Sequence, residues 1–181
     1  MKAFVTGVTG FVGGHLAERL LREGWQVRGL VRPGRDLSTL PPGVEPVVGT
    51  LEQPEALRAG CQGCSVVFHV AAELDGTVPR EQMLRVNVAG TENVLRAAVE
   101  AGVRRVVFTS SVAVYGESAP EGADESTPPR PSGAYGESKV LAEEVCFQYQ
   151  RRGWVEVVAL RPCFIYGPRD RHFTPNAVRV L

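Results

Sequence analysis

Tyr135 and Lys139 stand four residues apart, a spacing that places both side chains on one face of a helix. A lysine ammonium beside a phenol favours the phenolate, so this pair would lower the Tyr135 pKa and make it an acid/base near neutral pH. Upstream, Thr109-Ser110-Ser111-Val112-Ala113-Val114-Tyr115-Gly116 ends an apolar run in hydroxyls. Ser111 could hydrogen-bond a substrate oxygen or the phenolate and fix its position. A lone Y-x-x-x-K is usually a surface helix; a serine cluster at the C-terminal end of a strand gives this one chemical company. Lys139 also stands out because every other basic residue except Lys2 is an arginine.

A second cluster opens the chain. Thr6-Gly7-Val8-Thr9-Gly10-Phe11-Val12-Gly13 has G-x-x-G-x-x-G spacing between a strand pattern and a helix pattern. Glycines there allow a tight turn and let a pyrophosphate approach the main-chain N–H groups at the helix N-terminus. Gly7, Gly10, Phe11, Val12 and Gly13 are therefore the candidate phosphate cradle. The second strand ends Leu30-Val31-Arg32-Pro33-Gly34-Arg35, with no carboxylate until Asp36. A carboxylate at this point would bind ribose hydroxyls, whereas Arg32 suits a 2′-phosphate through charge-assisted hydrogen bonds. NADP(H) is thus favoured and NAD(H) remains open; the plainer alternative makes Arg32 a solvated loop residue.

These clusters need a scaffold, and the sequence supplies one. Short β-branched runs at Lys2–Thr6, Gln26–Val31, Glu45–Val48, Val66–Val70, Arg105–Ser110 and Val155–Leu160 read as strands. Helical stretches at Phe11–Glu23, Pro54–Ala59, Arg80–Ala101 and Ala134–Arg152 alternate with them. Gly24, Gly102 and Gly153 each follow a helix, where a left-handed residue commonly closes it. The alternation implies βαβ units, and the continuously apolar strands imply a parallel sheet with helices on both faces. Segments 33–43 and 116–133, rich in proline and glycine, read as loops.

Composition removes other classes of function. Twenty acidic residues balance twenty basic ones, which leaves no electrostatic case for nucleic acid or an anionic membrane. Apolar runs such as Cys64 to Ala72 are too short to span a bilayer. Met1 to Thr6 already reads as strand, so no secretory signal is expected and the cytoplasm is the default location. His15, His69 and His172 share no metal-ligand spacing, and Cys61-Gln62-Gly63-Cys64 lacks a second pair, so no metal is expected. At 181 residues the chain fits one domain, 1–181.

The chain resembles the extended short-chain dehydrogenases/reductases, the NAD(P)-dependent epimerase/dehydratase family. The likeness runs from Lys2 to about Pro168. It is carried by the glycine turn, Val67-Phe68-His69-Val70-Ala71-Ala72, Asn87-Val88-Ala89-Gly90-Thr91, the Ser110-Ser111 and Tyr115-Gly116 pairs, Tyr135/Lys139, Arg161-Pro162 and Tyr166-Gly167-Pro168. The resemblance implies a doubly wound, Rossmann-like sheet. It makes Tyr135 the acid/base, Lys139 the ligand of the nicotinamide ribose and Ser111 the group that polarises the substrate. It also implies that Asn87 holds a helix kink or a relay water, that Ala71 and Ala72 pass beside the cofactor, and that Pro162 and Cys163 flank the nicotinamide. The family's Gly-Asp-Leu after the third strand is here Gly49-Thr50-Leu51, which keeps Leu51 at the cofactor but removes a carboxylate from the adenine.

Family members continue into a C-terminal substrate domain, which the likeness implies is missing here. The expected activity is hydride transfer at a secondary alcohol or ketone carbon of a nucleotide sugar, as in the epimerase/dehydratase branch; a reductase resembling dihydroflavonol reductases and 3β-hydroxysteroid dehydrogenases is the alternative. A dinucleotide-binding protein without turnover is the rival from another class. A homodimer is expected, paired through Arg80–Ala101 and Ala134–Arg152.

Overall fold

Among the described residues, six parallel strands grow from the β-branched runs: β1 (Lys2–Thr6), β2 (Gln26–Val31), β3 (Val44–Val48), β4 (Val66–His69), β5 (Arg105–Thr109) and β6 (Glu156–Leu160). The computed structural model describes residues 1–117 and 121–170, so His172 lies outside the described residues. The sheet order is β3-β2-β1-β4-β5-β6. Connections run outward in opposite directions from the β1–β4 junction, which opens a crevice at the strands' C-terminal ends. Among the described residues, five α-helices surround the sheet: α1 (Phe11–Arg22), α2 (Pro54–Cys61), α3 (Arg80–Leu84), α4 (Gly90–Glu100) and α5 (Gly133–Arg151). Gly24, Gly102 and Gly153 are left-handed, at φ 77, 68 and 69°.

Alternate residues of the central strand serve opposite cores. Phe4 packs with Leu57, Leu95, Phe108 and Cys146 on the side of α2, α4 and α5, while Ala3 and Val5 pack with Val8, Ala17 and Leu20 on the side of α1. Each large apolar side chain buried this way contributes roughly 1.5–3 kcal/mol. The outer strands differ from the expectation of two covered faces. In β6, Val157 is buried but Glu156, Val158 and Leu160 are exposed: α1 packs on β1 and β2, and among the described residues no helix covers this side of β6.

The stretch expected as one helix, Arg80–Ala101, contains a π-helical turn at Arg85–Ala89 between α3 and α4. One extra residue per turn displaces Asn87 from the regular helical row. Its carboxamide meets Glu73, accepting from the backbone N–H at 2.7 Å and donating to the carbonyl at 3.0 Å. Two short 3-10 turns, Leu37–Thr39 and Val112–Tyr115, lie in segments without helical periodicity.

Candidate active site

Thr109 ends β5 and its carbonyl accepts a hydrogen bond from Lys139 Nζ at 2.8 Å. The ammonium lies 4.9 Å from the Phe108 ring centre and 5.7 Å from that of Tyr135, and only 2% of Lys139 is exposed. Burial lowers the Lys139 pKa to about 8. Ser111 begins the 3-10 turn, and its Oγ accepts from the Ala113 N–H at 3.1 Å, leaving its own proton to donate. Ser111, Tyr135 and Lys139 thus converge at the C-terminal end of β5.

The expected lowering of the Tyr135 pKa is not what the geometry produces. Burial pushes the phenol up, against a lowering contribution from the Ser111 hydroxyl. The lysine's charge is directed at the Thr109 carbonyl and is itself disfavoured by burial, so desolvation of the phenol wins. Burial thus favours the protonated phenol over the phenolate.

Two residues that sequence reasoning passed over hold this centre. Ser138, fully buried, donates to the Tyr135 carbonyl at 2.7 Å and accepts from Asn87 Nδ2 at 3.0 Å. Asn87 thereby joins the π turn, the Glu73 backbone and the helix bearing Tyr135. The second is His69. Thr6 Oγ1 accepts from the Val70 and Ala71 N–H groups at 3.2 and 3.1 Å, so its proton goes to His69 Nδ1, 2.7 Å away. Nε2–H then donates to Thr91 Oγ1 at 2.9 Å, and Thr91 donates to the Asn87 carbonyl at 2.6 Å. The imidazole is held neutral, its pKa lowered to about 3 by burial and by the charge on Lys139. A hydroxyl in the glycine-turn strand is in this way connected to the π turn beside Tyr135.

Arg161, quoted above only as part of a motif, anchors the next segment. It pairs with Glu143 of α5 at 2.8 and 2.6 Å and donates to the Tyr115 hydroxyl at 2.5 Å, which donates to the Asp124 carbonyl at 2.7 Å. Glu143 is 5% exposed, so loss of Arg161 would strand a buried carboxylate. The Pro162 carbonyl accepts from the Val112 N–H at 3.1 Å, which places Pro162 against the Ser111 turn; Cys163 is exposed beyond it.

Across the crevice, Gly7 adopts φ 73° and its N–H-rich turn folds against β4, where a Cβ would meet the Ala71 nitrogen at 2.9 Å. A Cβ on Gly13 would lie 2.2 Å from the Gly7 carbonyl oxygen. The turn is this tight only without side chains, and it brings the Ala71 backbone against Gly7, just before the N-terminus of α1. Gly10 caps that helix with no side-chain hydrogen bond, and the first turn carries no acidic residue. The Gly10 N–H donates to the Gly7 carbonyl at 2.9 Å, which leaves the first-turn amides of Phe11 and Val12, at the positive end of the helix, as the donors an anion such as a pyrophosphate would meet.

The remaining candidates separate. Arg32 is exposed just past β2, and the nearby Asp36 carboxylate is engaged by the Ser38 N–H and hydroxyl at 2.8 and 2.5 Å. Leu51 is in the core, packed toward Gly90, and its carbonyl accepts from Asn93 at 2.9 Å. Thr50 turns inward on its own loop, with its N–H on Gln53 Oε1 and its hydroxyl accepting from Glu52.

The model of the NAD dependent epimerase/dehydratase family matches residues 3–181. The chain is 38% identical over its whole length to a 4-hydroxy-2-methyl-3-oxo-4-farnesyl-3,4-dihydroquinoline-1-oxide ketoreductase of Stigmatella aurantiaca, covering 55% of that protein. It is 37% identical over 97% of its length to a 2-alkyl-3-oxoalkanoate reductase of Shewanella oneidensis, covering 48% of it. The chain thus spans about half the length of the curated relatives it matches. Among solved structures, the Thermus thermophilus UDP-glucose 4-epimerase in complex with NAD superposes with a TM-score of 0.85 at 33% identity, over 99% of this chain and 61% of that one. The family model spans nearly all of the sequence and the fold superposes on a solved epimerase over almost its whole length, so the chain belongs to the NAD-dependent epimerase/dehydratase family.

Proposed function

We propose that this chain is the dinucleotide-binding and proton-handling part of an NAD(P)-dependent ketoreductase acting at a ketone or secondary-alcohol carbon. The observation that carries this is the convergence of Ser111, Tyr135 and Lys139 at the end of β5, facing the glycine turn across the β1–β4 crevice. The nicotinamide, when bound, supplies the hydride. Ser111 donates a hydrogen bond to the substrate carbonyl oxygen, and Tyr135, protonated at neutral pH, delivers the proton that oxygen needs as its carbon is reduced. Lys139, fixed by Thr109, presents positive charge to the ribose and to the phenolate left behind. Asn87 holds the π turn that supports Ser138 and hence Tyr135. The first-turn amides of the Gly7 to Gly13 stretch hold the pyrophosphate, Ala71 and Ala72 line its path, and Pro162 and Cys163 flank the nicotinamide.

Keto-compound reductases at 37–38% identity support a ketone substrate. Arg32, with Asp36 occupied by Ser38, supports NADP(H) over NAD(H). A nucleotide-sugar epimerase is the second reading, favoured by the likeness to the solved UDP-glucose 4-epimerase. A homodimer joined through α4 and α5 accompanies either reading, supported by Val140 and Leu141 of α5, which are only partly covered.

The test incubates the protein with NADPH or NADH and a panel of β-keto esters, cyclic ketones and UDP-hexoses. Oxidation of NADPH by a ketone is expected, and Tyr135→Phe should abolish it while changing cofactor affinity less than about threefold. Sugar interconversion without net cofactor oxidation would select the epimerase reading; failure to bind either cofactor would overturn both.

A further inference from the structure

The segment after β6 returns to the opposite side of the crevice. Arg161 to Pro168 leaves the outer strand of the sheet and reaches the flank of α1, with β5 and β4 between its two ends. Three strand spacings amount to about 14 Å. Eight residues reach at most about 28 Å, so the segment spans the gap with limited slack, and its anchor points decide where its middle lies. One anchor is Arg161, held by Glu143 and Tyr115. The other is a cluster on α1. His15 Nε2 donates to the Pro168 carbonyl at 2.9 Å, Arg169 pairs with Glu18, and Phe11 meets the His15 ring edge-on at 5.5 Å. A Cβ on Gly14 would lie 3.2 Å from Arg169 Nη1, so the guanidinium lies directly along the helix. Arg169 is the only non-glycine residue with positive φ, 73°, among the described residues. An L side chain avoids that conformation unless its surroundings impose it.

The geometry points to Glu18, His15 and Arg169 as positioning residues that moor the 162–168 segment across the dinucleotide crevice and so control cofactor release. This rests on the dinucleotide reading above. The mooring sits on the helix whose N-terminus would hold the pyrophosphate, while the moored segment carries Pro162 and Cys163, the groups proposed at the nicotinamide. Cofactor cannot leave the crevice upward without displacing the segment between them. None of the three residues touches the reacting atoms; they act through the segment they hold.

Release can be followed by loading the protein with NADPH, mixing with excess NADP⁺ and recording the loss of bound-cofactor fluorescence by stopped flow. Arg169→Ala and Glu18→Gln should each speed release about three- to fivefold, the range of a partly exposed ion pair, with melting temperatures close to the parent. Glu18→Arg and Arg169→Glu should do the same singly, and the double swap should restore slow release, which general loosening would not. Equal release rates in parent and single variants, or a double swap as fast as its singles, would overturn the mooring while leaving dinucleotide binding intact. Failure of the parent protein to bind NADPH or NADH would overturn the dinucleotide reading and the mooring with it.

Discussion

Between β1, β4 and α4, His69 is 1% exposed and bonded at both ring nitrogens, so its surroundings admit only the neutral ring. The unfolded chain binds a proton near pH 6.5 and the folded chain only near 3. Between those values the unfolded state holds more protons, so stability falls as the pH falls. From pH 6.5 to 4.5, before most carboxylates titrate, this loss should reach about 2 kcal/mol. Urea unfolding across that range should show it, and His69→Gln should flatten the slope even though it lowers the plateau. Ser111, Tyr135 and Lys139 are readable in the sequence because their types and spacing are what proton transfer asks for. His69 and Ser138 are not, because a buried imidazole or hydroxyl is indistinguishable in sequence from a solvated one. The direction of the Tyr135 shift escapes the sequence for the same reason: charge proximity is visible in spacing, whereas desolvation appears only after packing.

The strands and most helix ends are legible because β-branched runs and closing glycines mark them directly. What the pattern hides is local departure from regularity. The π turn at Arg85–Ala89 keeps a helical rhythm on both sides, and the 3-10 turn at Val112–Tyr115 has only one turn to declare itself. The glycine turn is the element whose sequence and geometry agree most tightly, and it can be tested there. Gly13→Ala places a methyl where the Gly7 carbonyl stands, so α1 must shift outward. Overpacking of this kind costs about 1–3 kcal/mol in stability. Calorimetry should show dinucleotide affinity falling at least about tenfold, beyond what the fold loses, because the displaced amides are the proposed phosphate ligands. Affinity unchanged in a folded Gly13→Ala protein would place the phosphate site elsewhere.

For the molecule as a whole, Val158 and Leu160 of β6 are exposed among the described residues, and Val140 and Leu141 of α5 are only partly covered. Apolar surface of that kind favours self-association, so light scattering at micromolar concentration should give twice the chain mass of 19.6 kDa, and Leu141→Glu should return the monomer. No helix among the described residues is long and apolar enough to cross a membrane. The distribution of sulfur over the molecule has a practical outcome. Cys61 and Cys146 are buried with thiols pushed up to about 12, Cys64 is buried and also raised, and Cys163 alone is exposed. Because the thiolate is the reactive form, a maleimide dye at neutral pH would attach at Cys163 and spare the others. The unmodified sequence therefore carries a single-site optical reporter on the very span between the Arg161 and Arg169 anchors.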